Sequence, residues 1–578
     1  MQRIFGISLA CLIALSGSGA MSDASGPYLA AQSAMRANDF ALATQYQSRV
    51  LTMDRDNDAT MRDLLFSYVA LGRLRDAIPV ANLYSERGAD DFVTNLIVLL
   101  GQIEDEDFAG LTAALENEDE FSLNPFIREV VMAWAEHGQG NAKAAQRIID
   151  DISGRPGFET FAAFHRAMMY LADGKNEDAL AVLDGFDNTA GILTDRALLI
   201  KTALLQRMGQ SEQARAFFDA KFSVGSSPES AVILRNLDRN EPIVSGLPST
   251  VTQAMSEIFF TLALFIQEQV DPSATLVYAR IAEALNPQSA EIKLFVADVI
   301  EELDQYSLAL RVYEKIGIED PKYYTAQIAK ASAMRRSDRV DDGIDVLNNL
   351  TSAYPDVPVA HATLADFLRR QERYDEALPA YNAAISMYEA QNNVRWQLYY
   401  ARGITHERLK IWPNADQDFR SALALNPDQA SVLNYLGYSL IERGEKLDEA
   451  MKMITKAVEI EPNSGYIVDS LGWGKFRLGQ YEDAVPDLER AAELMTTDPI
   501  VNDHLGDAYW AVGRKNEARF QWRRALKRLS ILLILPAIMR ESYQPHEMEV
   551  TQLGLHFYRK ITKLANFLNL NWGIIKKY

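Results

Sequence analysis

The amino-acid sequence predicts an all-α fold, a solenoid of stacked antiparallel helix pairs. Two observations predict it. Four glycines, Gly403, Gly437, Gly472 and Gly506, recur at intervals of 34, 35 and 34 residues. Small and bulky side chains recur in phase with them. A fixed period of a few tens of residues marks a chain that stacks one supersecondary unit on the next.

Length and composition fit that reading. With 578 residues the chain exceeds what one hydrophobic core organises, whereas an array of repeats grows linearly. It is 48% hydrophobic and 24% charged, which excludes a largely disordered chain. A formal charge of −21 repels polyanions, so nucleic acid is excluded as a partner.

From the N-terminus, residues 1–20 read as a signal peptide. Arg3 precedes the apolar run Ile4 to Leu15, and Ser18-Gly19-Ala20 supplies small residues before polar Ser22-Asp23. Export to the periplasm or envelope is the expectation. Ser8-Leu9-Ala10-Cys11 is a poor lipobox, which disfavours lipid anchoring through Cys11, the one cysteine.

Residues 21–222 read as a first solenoid segment. Ala24 to Asn57 and Asp58 to Tyr84 form two copies, the second with Leu64, Tyr68, Gly72, Ala77 and Ala81. Between 91 and 222 the period degenerates, yet a helix, break, helix rhythm persists in Ala167-Tyr170-Gly174-Ala179-Leu183. Residues 223–250 carry Gly225, Pro228, Pro242, Gly246 and Pro248, turn chemistry that predicts a linker or hinge.

Residues 251–528 read as the second solenoid segment. In phase with each repeat glycine come Gly444, Gly479 or Gly513 seven residues on, then Ala415, Ala450, Ala484 or Ala518. A bulky Phe419, Ile454, Leu488 or Trp522 follows, then Ala422, Ala457, Ala491 or Ala525. Only a small residue fits where two helices cross closely, while large residues four apart fill the gap to the next repeat. Pro427 and Pro462 end second helices, which proline cannot continue.

Residues 529–578 change character. Leu553, Phe557, Ile561, Leu564, Leu568, Trp572 and Ile575 recur at three or four, with Arg559, Lys560 and Lys563 elsewhere on the wheel. That is a basic amphipathic helix. It caps the last repeat, makes a membrane-surface contact through 553–575, or results from an altered reading frame.

The run Trp396 to Leu526 resembles the tetratricopeptide-repeat family. Asn434 to Leu526, with Ile467-Val468-Asp469-Ser470-Leu471-Gly472-Trp473 and Asn502 to Trp510, looks like bacterial envelope members, among them lipoprotein adaptors for carboxyl-terminal processing proteases. The resemblance implies a non-catalytic scaffold that binds peptide or protein clients. The implied partners are a processing protease and cell-wall hydrolases. An outer-membrane or cell-surface assembly factor is the alternative.

No catalytic constellation appears. His406-Glu407 lacks a second histidine, and the phosphate-loop and nucleophile-elbow patterns are absent. The seven histidines are scattered, so no metal, catalytic residue or cofactor is expected; an enzyme with a site hidden in 91–222 is the remote alternative. The expected groove positions lie three residues before and one after each glycine: Asn434 with Tyr438, Asp469 with Trp473, and Asp503 with Asp507. Trp510 extends the row. Aromatic area and amide or carboxylate acceptors suit a basic or polar peptide. The alternative for these residues is local packing of the tryptophans and local capping or pairing of the acids.

Overall fold

The computed structural model describes residues 24–116, 123–188, 192–222 and 228–534. The signal segment 1–20 and the amphipathic stretch 553–575 lie outside the described residues. Among those described there are 29 α-helices, one short 3-10 helix and no strand. Successive helices pack as hairpins, for example Trp396–Arg408 on Trp412–Leu425, Ala430–Arg443 on Leu447–Ile460, Gly465–Arg477 on Tyr481–Leu494, and Pro499–Ala511 on Lys515–Ile534. Connections this short force antiparallel neighbours.

The hairpin turn is set by one left-handed residue. Positive φ recurs at Asn38, Gly72, Glu106, Gly140, Gly174 and Gly209, then at Asp304, Asp338 and Glu372, then at Lys410, Gly444, Gly479 and Gly513. Within each series the interval is 34 or 35 residues. The stretch 91–222, degenerate by sequence, therefore holds the repeat phase without a slip. At each turn the next residue donates back to the carbonyl five positions earlier, as in Arg73 N–H to Tyr68, Asp107 N–H to Gln102 and Glu445 N–H to Leu440. This closes the first helix whatever the side chain. Lys410 at φ 62° and Glu106 at φ 55° bear a local steric cost of about 1–2 kcal/mol that pairing must offset.

The helices cross where the sequence places glycine. A Cβ at Gly403 would lie 2.7 Å from Phe419, at Gly437 2.7 Å from Ile454, at Gly472 2.6 Å from Leu488, and at Gly506 2.5 Å from Trp522. The bulky residues thus close on the glycine of their own pair. Phe419 also reaches the next pair, tilted on Tyr435 at 5.3 Å.

The chain forms two compact units, 1–346 and 347–578. In the second, small local cores join one pair to the next, such as Phe419, Leu436 and Ile454, or Leu488, Leu505 and Ala508. In the first, one continuous core runs from Phe40 to Met334. The expected division at 223–250 meets a different arrangement. Pro228–Asp238 is helical, and the segment after it packs inside the first unit, where Asn286 donates to the Gly246 carbonyl at 2.8 Å.

Val251–Ile266 and Pro272–Leu285 do not begin a separate array. They lie against Asp58–Ala70, Phe92–Glu104, Pro125–Gly138 and Glu159–Ala172, the first helices of four consecutive pairs. First helices line the concave side of such a stack, so the first unit fills its own concave face. Residues 254–261 and 275–283 are all buried, as a helix covered on every side requires. Arg280, 1% exposed, donates to the Ala70 carbonyl at 2.8 Å and pairs with Glu283. Arg196 grips Glu257 with two bonds of 2.9 and 2.7 Å and also pairs with Glu291. Such buried pairs stabilise little over an apolar core, but removing one partner strands a charge, which fixes the placement of the inserted helices.

Two predictions follow from this packing. Gly437→Ala meets Ile454 and the Ala450 carbonyl, the latter at 3.0 Å, so it should destabilise the second unit by about 1–3 kcal/mol, read from its urea midpoint; an unchanged midpoint contradicts the crossing. His165 is fully buried, accepts from Trp134 Nε1 at 3.2 Å, and burial lowers its pKa to about 3 from the ordinary 6.5. The unfolded chain takes up that proton first, so stability falls as pH drops from 6.5 towards 3, by up to about 1.4 kcal/mol per unit. His165→Phe should flatten that part of the first unit's pH dependence, and an identical slope would refute it.

Candidate protein-binding face

In the second unit the first helices of successive pairs, Ala430–Arg443, Gly465–Arg477 and Pro499–Ala511, lie against one another. Each contributes one polar residue three positions before its glycine. Asn434, Asp469 and Asp503 are 2%, 6% and 8% exposed. The residues one after the glycine, Tyr438, Trp473 and Asp507, are half-buried, as is Trp510.

The structure joins Asp469 and Trp473 through a residue the sequence reasoning passed over, His504. Its Nδ1 lies 2.8 Å from Asp469 Oδ2, and its ring stacks on Trp473 at 4.0 Å and 12° between planes. Phe476 stacks on the indole as well, at 4.9 Å and 11°. The Trp473 N–H donates to Glu442 Oε1 at 2.8 Å, which also accepts from Arg477 at 2.7 Å. Trp473 is therefore a fixed platform. The signal was available: Trp473 and His504 stand one after one repeat glycine and two before the next, and adjacent first helices bring those positions together.

Asp507 and Trp510 sit apart from this cluster. Asp507 accepts from Trp522 Nε1 at 3.2 Å, and Trp510 packs on Trp522 at 5.5 Å. Asp498 caps the helix Pro499–Ala511 through the N–H groups of Ile500 and Val501. Burial raises its carboxyl pKa against those two bonds, and the Asp469 charge adds to the rise.

Three buried acceptors, Asn434 Oδ1, Asp469 Oδ1 and Asn502 Oδ1, meet no donor among the described residues. A buried oxygen without a donor costs about 1–3 kcal/mol. No group of three or more His, Cys, Asp or Glu fit to hold a metal occurs among the described residues, nor is any helix there long and apolar enough to cross a membrane.

A tetratricopeptide repeat family model matches residues 328–394. The fold is an array of tetratricopeptide-type helix pairs. The chain is similar to a TPR repeat-containing protein of Pseudomonas aeruginosa, 29% identical over 208 residues, which are 36% of this chain and 34% of that protein. It is also similar to the lipoprotein NlpI homolog of Haemophilus influenzae, 33% identical over 109 residues, 19% of this chain and 34% of that one. The chain thus spans about a third of the length of these relatives. Among solved structures, a Cut9-Hcn1 APC/C hetero-tetramer aligns with TM-score 0.34 and 14% identity, covering 91% of this chain and 97% of that one. MamA aligns with TM-score 0.26 and 18% identity, covering 29% and 96%.

His504→Ala removes the stack and the bond to Asp469. The expected cost is about 1–3 kcal/mol in the second unit, together with a red shift of tryptophan emission as Trp473 gains solvent. Unchanged emission would show that the platform does not rest on His504.

Proposed function

We propose that this chain is a non-catalytic scaffold of the bacterial cell envelope that takes a protein client on the first-helix face of its second unit. One contrast carries the reading. The first unit covers its corresponding face with residues 251–285, whereas Gly465–Arg477, which carries the half-buried Trp473, packs on helices of its own and the adjoining pairs. A client packed there gains the accessible part of the indole as contact area at low entropic cost.

Two features support the envelope placement: the signal-like residues 1–20, and a relative that is named a lipoprotein. The specific role we assign is an adaptor that presents clients, cell-wall hydrolases among them, to a carboxyl-terminal processing protease. The repeat motif alone specifies a fold and serves many partners.

In-envelope crosslinking followed by mass spectrometry tests both levels. The chain should capture an envelope protease or wall enzyme, and Asp469→Ala with Trp473→Ala should reduce capture about tenfold or more, the loss of one hot-spot pair. Capture of envelope proteins that ignores this double substitution removes the face from the account. Recovery of other envelope proteins but no protease removes the adaptor role.

A further inference from the structure

The last described helix reverses the charge habit of its unit. Up to it, most arginines carry carboxylates, Arg370 and Arg395 apart: Arg402 on Asp418, Arg420 on Asp416 and Glu449, Arg477 on Glu442, Arg490 on Glu493, Arg514 on Glu489 and Glu517. On Lys515–Ile534, by contrast, the acid Glu517 and its neighbour Glu489 are taken by Arg514, and Lys515, Arg519 and Arg523 have no carboxylate within ion-pair range among the described residues. They recur every four residues, so they share one side of the helix. The nearby acids are already engaged: Glu489 and Glu517 by Arg514, Asp507 by the Trp522 N–H.

Aromatic rings interleave with these cations. Lys515 Nζ lies 5.3 Å and the Arg519 guanidinium 6.0 Å from the Trp510 ring centre, and Arg524 lies 5.9 Å from that of Phe520. Phe520 is 59% exposed. A large exposed phenyl next in sequence to Arg519, on a helix whose Lys515, Arg519 and Arg523 carry no carboxylate, suits a surface that is anionic outside and apolar just beneath.

We infer that the face formed by Lys515, Arg519, Arg523 and Phe520 docks on an anionic lipid surface. Charge complementarity selects that occupant. The remaining chain, 535–578, holds six Lys and Arg against three Glu, so its net charge has the same sign as this face. Nucleic acid would meet the same cations, but the chain's −21 charge opposes a polyanion that must pass along the rest of the molecule. A bilayer needs only one end to approach, within a Debye length of about 8–10 Å.

Flotation of the full chain with phosphatidylglycerol-containing and with pure phosphatidylcholine vesicles tests this. The chain should float only with the anionic vesicles and lose binding as salt rises. Lys515→Glu, Arg519→Glu and Arg523→Glu together should lower partitioning by about a hundredfold or more, at roughly fivefold per cation. Phe520→Ser should weaken it while keeping the salt dependence. Circular dichroism checks folding, and Lys515→Gln, Arg519→Gln and Arg523→Gln serve if the reversals unfold the pair. Equal flotation with neutral vesicles, no flotation, or flotation untouched by the triple substitution overturns the inference. So does salt-sensitive self-association without vesicles, which would assign the face to a second copy.

Discussion

Everything in this molecule depends on how closely two helices of a pair can approach. At Gly437 the missing Cβ leaves room for Ile454, and the Ala450 carbonyl stands 3.0 Å from where that Cβ would be. Backbone, not just a side chain, occupies the space. The separation of the pair is therefore fixed by the residue type at one position, and a left-handed turn seven residues later fixes where the second helix begins. Pairs of constant geometry stack with constant rotation, which is what makes a continuous first-helix face available.

The two units use that face differently. In the second, cores are local and each pair leans on its neighbours, so the side chains of the first helices remain half-buried around Trp473 and Tyr438. In the first, the chain turns back and lays two helices along the face, merging most of the local cores into one and leaving a second around Phe218 and Ile243. Burying Arg280 and Arg196 there is costly unless their partners are in place, so these residues set the placement of the inserted helices more than they add to stability.

Much of this was legible in the residues, and the parts that were not have physical reasons. Between Trp396 and Leu526 the crossing positions are glycine, which advertises the period. Elsewhere the residue seven before the turn is Leu65, Leu99, Ala133, Ala167, Thr202, Ala297, Ala331 or Ala365, each buried but not diagnostic by type. Turn residues such as Glu106, Asp304 and Lys410 hide in the same way, because packing and the closing hydrogen bond impose the left-handed conformation that glycine would have signalled. The inserted helices did leave a trace: Ile258-Phe259-Phe260 and Leu262-Ala263-Leu264-Phe265-Ile266 give an almost unbroken apolar run, too continuous for a helix with one wet side. At the candidate face, offset arithmetic located Asp469 and Trp473 but treated repeats one at a time, so it missed His504, whose role exists only between neighbours.

The most direct measurement is a crosslink between the inserted helices and the face they fill. Phe92 and Tyr278 meet edge to face with ring centres 5.2 Å apart. In a chain carrying Cys11→Ser, Phe92→Cys and Tyr278→Cys, a short bismaleimide, which spans the gap left by the two rings where a direct disulfide need not, should link the thiols within one chain and in high yield, and urea should abolish the link. Thiols that stay unlinked in the folded protein would contradict the filled concave face, and with it the assignment of client binding to the second unit.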